Sequence, residues 1–265
     1  MASNNVIRVA VHGAAGRVGR EVLRAVSEAS GLALVAAIDR VPPIDAPPLP
    51  QGVPYFDDAH RGFEACHADV VVDFTNADAA MAMVPLALST GTRPVIGSTG
   101  FLDDHLAYLD GLCREHGLGG VYAPNFTIGA VLLAKLSAVA ARFFDYVEIA
   151  EEHHEAKIDA PSGTALALAK AIHDAHPERF SRPAPEKEPL PGTRGGDYQG
   201  IGMHSTRMPG RMAHHQVTFG GPGQTLTLRH DTINRECYMP GVLLAIRKVK
   251  ELEGLTIGLD QLLEL

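Results

Sequence analysis

Short apolar runs alternate with helical patterns over the first half of the chain. The predicted strands cover residues 6–11, 32–38, 70–74, 94–97 and 120–122. Helical patterns lie between them, over residues 18–26 and near 76–90 and 102–116, the second of which contains Pro85, expected to kink it or start a new turn. The proline-rich residues 42–54 predict an exposed loop. Such alternation predicts a parallel sheet with helices on both faces.

The pattern changes after residue 126. It predicts a helix that starts at Thr127, an alternating strand over 146–151, a helix over 162–173 and a loop over 177–200. Two further alternating runs, 215–219 and 225–230, flank a glycine-rich turn and predict an antiparallel hairpin. The tail is predicted to be helical from Pro240 through Lys250, followed by an apolar segment over 255–265. We therefore expect an α/β fold: a parallel-sheet domain, residues 1–126 and 236–265, and an α+β domain, residues 127–235, with a mixed or antiparallel sheet.

Composition narrows the class of protein. The chain has 265 residues, enough for one large domain or two of ordinary size, and 46% of them are hydrophobic. A net charge of −8 gives no basic footprint for nucleic acid. No apolar run reaches the roughly 18 residues of a membrane span, and the polar N-terminus is not a secretory signal. Cys66, Cys113 and Cys237 form no disulfide framework or metal knuckle, so we expect a cytoplasmic protein.

A glycine-rich loop follows the first predicted strand. Residues 13–19 read G-x-x-G-x-x-G and open a helix, which is the setting of a Rossmann-type dinucleotide site. There a pyrophosphate lies at the helix N-terminus, facing free N–H groups. Asp39 ends the second strand, where an acid binds the ribose hydroxyls of NAD, and Arg40 follows, where an arginine binds the 2′-phosphate of NADP. The alternative is a glycine turn beside an ordinary aspartate, but the strand–helix–strand context favours the cofactor site.

Residues 151–164 hold two histidines, a lysine and the start of a helix. His153 and His154 are adjacent on a strand and so point to opposite faces, which argues against a metal site, as does the lack of a clear third ligand. The N–H groups of Gly163 and Thr164, with the Thr164 hydroxyl, can bind a carboxylate at the helix start. The alternative is a solvated loop in which neighbouring glutamates pair with the basic residues. These residues alone do not favour the anion-binding site over the solvated loop.

These segments resemble the 4-hydroxy-tetrahydrodipicolinate reductase (dihydrodipicolinate reductase) family of the lysine and diaminopimelate pathway. The likeness covers nearly the whole chain, in order, and rests on residues 13–19, 72–75, 97–101, 123–126 and 152–165. Asp39 stands where the family often has glutamate, and Ser98 where it often has threonine. Both keep the functional group, although the shorter acid leaves the balance between NAD and NADP more open.

The resemblance implies roles for individual residues. His153 would protonate the substrate with Lys157 as its catalytic partner, while His154, Gly163 and Thr164 would bind substrate carboxylate. The implied cofactor site comprises Gly13, Ala14, Ala15, Gly16, Arg17, Val18, Asp39, Arg40, Gly97, Ser98, Thr99, Ala123, Pro124, Asn125 and Phe126. The resemblance further implies NADH and/or NADPH as cofactor, a small cyclic dicarboxylate as substrate, and a homotetramer built through the sheet of the second domain.

Two alternatives remain open at this point. One is a related two-domain reductase, such as an aldehyde or sugar-acid dehydrogenase, although none of the cysteines lies in an evident nucleophile motif. The other is a nucleotide-sensing protein without turnover, which the His153 and Lys157 pair argues against. Six other histidines are expected to lie at the surface or to pack in the interior, with no part in the chemistry: His12, His173, His176, His204, His214 and His215. The sequence does not decide which arginines complete the carboxylate site; the candidates are Arg194, Arg229 and Arg235.

Overall fold

The structure, a computed structural model, describes residues 6–41, 49 and 51–264. Its contacts divide the chain into two units: unit 1 comprises Met1–Ile128 and Arg235–Leu265, and unit 2 comprises Gly129–Asn234. The domain junctions predicted from the sequence, after residues 126 and 235, lie close to these. Among the described residues, no helix has the length and apolar character needed to cross a membrane.

The helices and strands follow one another in a regular alternation through unit 1 and less regularly through unit 2. In chain order they are β1 (Ile7–His12), α1 (Arg17–Glu28), β2 (Leu32–Ile38), β3 (Tyr55–Phe56), α2 (Ala59–Cys66), β4 (Val70–Asp73), α3 (Ala77–Ser89), β5 (Arg93–Ile96), α4 (Asp103–Glu115), β6 (Gly119–Tyr122), α5 (Ile128–Ala141), β7 (Tyr146–His153), α6 (Gly163–Ala175), β8 (Gly196–Tyr198), β9 (Ile201–Arg207), β10 (Ala213–Gly221), β11 (Gln224–Thr232), α7 (Met239–Lys248) and β12 (Gly254–Ile257).

Unit 1 is built on a seven-stranded parallel sheet in the order β12-β6-β5-β4-β1-β2-β3. The chain runs outward from β1 in both directions, so the strand order reverses between β1 and β4. The central residues of these two strands, 9–11 and 70–72, are fully buried because helices cover both faces of the sheet. The predicted Rossmann-type sheet is confirmed.

Several short elements of unit 1 were not predicted. They are β3, α2 and β12, and the two strands among them have too few residues to show a periodic pattern. Most of the predicted 42–54 loop, residues 42–48 and 50, lies outside the described residues. The helix predicted over 76–90 forms as α3, which continues through Pro85 as one helix.

Unit 2 contains a five-stranded sheet in the order β11-β10-β7-β9-β8. Strands β7 and β9 run parallel and the other pairs antiparallel, so the sheet is mixed. The predicted hairpin forms from β10 and β11, and the helix predicted over 162–173 is α6. The loop predicted over 177–200 is wrong at its end, because residues 196–198 pair with β9 as strand β8. Strand β9 was not predicted either, because its sequence is largely polar.

Strand β7 shows how this sheet buries charge. Its side chains alternate, so Val147, Ile149, Glu151 and His153 are buried while the residues between them are more exposed. The first two of these lie in the apolar core of unit 2, together with residues of α6. The same period of two therefore carries a glutamate and a histidine into the interior.

Candidate functional site

The glycine loop of unit 1 packs backbone against backbone. Gly13 has a φ of +82°, and a Cβ there would lie 2.8 Å from the Phe74 carbonyl oxygen. A Cβ on Gly19 would lie 2.0 Å from the Gly13 carbonyl oxygen. Gly16 is the N-cap of α1, and no side chain caps that helix. The first N–H groups of α1 are therefore left for an anion, as a pyrophosphate site requires.

A cavity of about 280 Å³ adjoins this loop. Its lining residues are His12, Gly13, Gly16, Asp39, Arg40, Phe74, Thr75, Asn76 and Ala79. The Asp39 carboxylate accepts the N–H of Ala15 at 2.9 Å, so the acid also holds the loop in place. The cavity lies at the carboxyl end of β1, beside the reversal of strand order, which is the usual ligand position in open parallel sheets.

Asp73 ties together the strand ends beside this cavity. Its fully buried carboxylate accepts hydrogen bonds from the Thr75 hydroxyl, at 2.7 Å, and from the Ser98 hydroxyl, and it pairs with His12 Nδ1 at 2.7 Å. His12 was expected to serve only packing or the surface, and the structure instead places it in the cavity wall. Its position directly before the glycine loop was the signal that could have revealed it.

The structure brings the predicted cofactor residues to one edge of the sheet. Residues 13–18, 39–40, 97–99 and 123–126 follow the carboxyl ends of β1, β2, β5 and β6, respectively. Parallel strands carry these ends to the same edge. Gly97 is needed there because a Cβ would lie 2.2 Å from the Phe74 ring.

The histidine segment of unit 2 lies where β7 ends. His153 is the last residue of that strand and is buried, whereas His154 is exposed. The two rings therefore lie in different surroundings, which argues against a metal ion shared between them, as their adjacency predicts.

Glu151 is the centre of a buried cluster around His153. Its oxygens accept hydrogen bonds from Arg207 Nη1 at 3.0 Å and Nη2 at 2.7 Å, and from the Ser162 N–H at 3.2 Å. It is also hydrogen-bonded to His153 Nδ1. Burial acts to raise the pKa of Glu151, but the hydrogen bonds from Arg207, Ser205 and His153 together bring that pKa below its ordinary value.

His215 completes the cluster from β10. Its ring lies 5.4 Å from that of His153, edge to face, and its Nε2 lies 3.2 Å from the Ser162 hydroxyl. Burial lowers the pKa of His215 to about 4. Burial likewise lowers the pKa of His153, with Lys157 and Arg207 acting in the same direction and Glu151 opposing them. His215 is thus buried and packed, as one of the two expectations for it had it, and the ring that it packs against is that of His153.

The cluster also corrects the expectation that no third metal ligand lies near His153. Among the described residues, Glu151, His153 and His215 offer donor atoms within 4.8 Å of one another. Both Glu151 oxygens already bind the Arg207 guanidinium, however. A cation would have to displace that arginine, so the arrangement is a buried ion pair with a hydrogen-bonded histidine.

The carboxylate of Asp159 lies beside the start of α6. Lys157 Nζ lies 2.7 Å from Asp159 Oδ1, and this hydrogen bond is the main cause that lowers the pKa of Asp159; the Gly163 N–H adds to it. Ser162 caps α6, with its hydroxyl accepting the Ala165 N–H at 3.2 Å. A Cβ on Gly163 would meet no atom within 4 Å. The lysine and the helix start can therefore hold a carboxylate in open space.

The arginine beside His153 was not among those proposed from the sequence. Arg194 binds Glu148 at 3.1 Å, Arg229 binds Asp231 at 2.9 Å, and Arg235 lies in a short 3₁₀ helix of unit 1. Arg207, which binds Glu151, lies at the end of β9. It could have been found only by predicting that polar strand and its pairing with β7.

Known proteins resemble this chain over its full length. Family profiles for the N-terminus and the C-terminus of dihydrodipicolinate reductase match residues 7–126 and 129–263. The 4-hydroxy-tetrahydrodipicolinate reductase of Moorella thermoacetica is 46% identical, over 97% of this chain and 98% of that protein. The dipicolinate-bound dihydrodipicolinate reductase of Paenisporosarcina sp. TG-14 superposes with a TM-score of 0.89 at 40% identity, over 97% of this chain and 99% of that one.

More distant structures share the fold alone. The amine dehydrogenase of Mycobacterium smegmatis has a TM-score of 0.64 at 16% identity, over 94% of each chain.

Proposed function

The chain belongs to the dihydrodipicolinate reductase family, and from that premise we propose which of its residues perform the reaction. Membership makes it an oxidoreductase that uses a nicotinamide cofactor to reduce 4-hydroxy-tetrahydrodipicolinate in lysine and diaminopimelate biosynthesis. The family and reaction predicted from the sequence are confirmed. The alternatives, a related reductase such as an aldehyde or sugar-acid dehydrogenase and a nucleotide sensor without turnover, lose their support.

The cofactor is proposed to bind at the glycine loop and to be either NADH or NADPH. The uncapped start of α1 and the close packing of Gly13 and Gly19 fit a pyrophosphate. Asp39 would bind the ribose hydroxyls and Arg40 the 2′-phosphate of NADPH, since both line the adjacent cavity. When bound, the nicotinamide supplies the hydride. The segments 97–99 and 123–126, at the same edge of the sheet, are proposed to complete the site.

The substrate is proposed to be a small cyclic dicarboxylate, bound by Lys157, His154 and the N-terminus of α6 at Gly163 and Thr164. The relative from Paenisporosarcina binds dipicolinate, a molecule of that class. The supporting contact in this chain is the Asp159 carboxylate, held by Lys157 and the Gly163 N–H. A substrate carboxylate would take the place of this internal one.

His153 is proposed as the proton donor. Loss of the 4-hydroxyl group as water would turn the substrate into a conjugated acceptor, and reduction of that acceptor adds one hydride and one proton. The site must therefore supply a proton near the negatively charged ligand. The observation that carries the assignment is the burial of His153 against the Glu151–Arg207 pair, in the segment that also holds Lys157. Lys157, a cation, would stabilise the negative charge that develops on the substrate.

Two variants test these roles: His153→Gln and Lys157→Met. Each should lower kcat by about 10²–10⁴-fold, the usual contribution of a positioned acid–base group. The assay follows NAD(P)H oxidation with the condensation product of pyruvate and aspartate semialdehyde. Lys170→Met is the matched control, since Lys170 lies exposed on α6 and pairs with Asp174 at 2.5 Å. Turnover near that of the control in both variants would overturn the assignment.

The state of assembly is also proposed: a homotetramer joined through the sheet of unit 2. Strand β11 is an edge strand of that sheet and exposes most of its side chains, including Leu226. Sedimentation velocity would test the subunit number. A cytoplasmic location is proposed as well, since Cys66, Cys113 and Cys237 are all free thiols, as a reducing compartment favours.

A further inference from the structure

The carboxylate of Glu151 is the point at which three segments of unit 2 meet. It binds His153 from its own strand, Arg207 from β9 and the N–H of Ser162 at the start of α6. Its side chain is 1% exposed, so these hydrogen bonds are made without competition from water. Family likeness pointed to the histidine and the lysine of this region and not to this glutamate.

The hydrogen bond to His153 fixes which ring nitrogen carries a proton. The two-point contact with Arg207 favours the ionised form of Glu151, and an ionised carboxylate can only accept hydrogen bonds. The proton in the bond must therefore lie on Nδ1 of His153. The other nitrogen, Nε2, is then the one free to exchange a proton.

We propose that Glu151 is a positioning residue for proton transfer, holding the Nδ1–H of His153 so that Nε2 delivers the proton to the substrate. In that step the Nε2–H bond breaks and its electron pair stays on nitrogen. The proton bonds to the atom made electron-rich by hydride addition, while Glu151 keeps its charge throughout. The inference rests on the proposed role of His153 as the acid.

The groups around His153 give Glu151 a distinct electrostatic role. Lys157 and Arg207 are cations and disfavour the protonated imidazole, whereas Glu151 favours it. His215 packs against the ring but is held neutral by its burial. Removing the charge of Glu151 should therefore lower the pKa of His153 and reduce the fraction of the acid form at neutral pH.

The same carboxylate links the proton donor to the anion site. Ser162, whose N–H binds Glu151, also caps α6 through its hydroxyl, and that hydroxyl contacts His215. Glu151 thus holds the acid and the helix start in one fixed relation.

The test is the pH profile of the Glu151→Gln variant. The limb of kcat that reports loss of the His153 proton should shift to lower pH, and kcat at pH 8 should fall at least about tenfold, with a smaller change in KM. Glu152→Gln is the matched control. Glu152 is the next residue of β7, points to the other face and pairs with Arg211 at 2.7 Å. Its profile should match that of the unaltered protein.

A second measurement is made on the unaltered protein, with one variant needed only for the assignment. ¹⁵N NMR of the cofactor-free protein, with His153 assigned by comparison with His153→Gln, should show the neutral ring protonated at Nδ1. A neutral ring protonated at Nε2, or a Glu151→Gln profile with an unmoved limb, would overturn the inference. If His153→Gln keeps its turnover, the proposed acid itself is wrong. If that variant is inactive while Glu151→Gln behaves as the control, only the role of Glu151 fails.

Discussion

The two candidate sites of this chain differ in the groups that they offer to negative charge. In unit 1 the glycine loop exposes backbone N–H groups, and its shape depends on the absence of side chains at Gly13 and Gly19. In unit 2 the site consists of ionised side chains, with Glu151 and Arg207 paired in the interior and Lys157 at the surface. The glycine loop is built by local chain geometry, whereas the second site is built by contacts between paired strands that are far apart in sequence. Substitutions that break the buried ion pair of unit 2 should therefore affect mainly stability, and substitutions in the glycine loop mainly affinity for the cofactor.

The largest effect is expected where the buried charge of unit 2 loses its partner. Arg207→Met leaves the Glu151 side chain, which is 1% exposed, without the two hydrogen bonds from the guanidinium. Breaking a buried pair from one side costs about 3–5 kcal/mol, because the remaining charge stays desolvated. Urea unfolding followed by circular dichroism should show this loss of stability for unit 2.

Arg211→Met separates burial from charge. Arg211 pairs with Glu152 at 2.7 Å, but its side chain is 40% exposed. Exposed pairs contribute about 0–1 kcal/mol, so this variant should unfold close to the unaltered protein. If Arg207→Met and Arg211→Met lowered the free energy of unfolding equally, the burial of Glu151 would not make its ion pair more stabilising than the exposed one.

The second prediction concerns pH. In the unfolded chain His215 takes up a proton below its ordinary pKa of 6.5, whereas in the folded state burial holds the pKa at about 4. The unfolded state therefore binds more protons between these values, and stability should fall as pH falls from 6.5 to 4. The difference corresponds to about 3 kcal/mol, since each tenfold change in proton affinity is about 1.4 kcal/mol. His153, whose pKa is also lowered, acts with the same sign.

His215→Gln should remove most of this slope, because glutamine stays neutral and can still contact the Ser162 hydroxyl. His154→Gln removes an exposed imidazole and should retain the slope. Calorimetric unfolding at several pH values between 4 and 7 gives the measurement. A slope that survives the loss of His215 would assign the pH dependence to other groups.

The contrast between the sites also explains what the sequence could predict. The glycine loop of residues 13–19 and the helix over 162–173 are local patterns, and both formed as expected. The alternation of β7 already placed Glu151 and His153 on the same face as Ile149. Their partners could not be predicted, because Arg207 ends a polar strand without clear periodicity and His215 meets His153 only through sheet pairing. Side-chain sites depend on the pairing and register of strands, and a largely polar strand such as β9 specifies its register weakly.

The smallest of the three effects concerns the backbone site of unit 1. Gly19→Ala places a Cβ 2.0 Å from the Gly13 carbonyl oxygen and 2.8 Å from its carbon, so the loop must move away from α1. Because backbone atoms cannot yield as a flexible side chain does, we expect the Kd of NADH to rise on the order of 100-fold, about 2.7 kcal/mol. Gly111→Ala is the matched control: Gly111 also lies in a helix of unit 1, α4, but a Cβ there meets no atom within 4 Å. That variant should keep its affinity and gain about 0.5–1 kcal/mol of stability, since alanine favours a helix over glycine. Fluorescence titration of NADH compares the two, and equal affinities would mean that close backbone packing is not what shapes the nucleotide site.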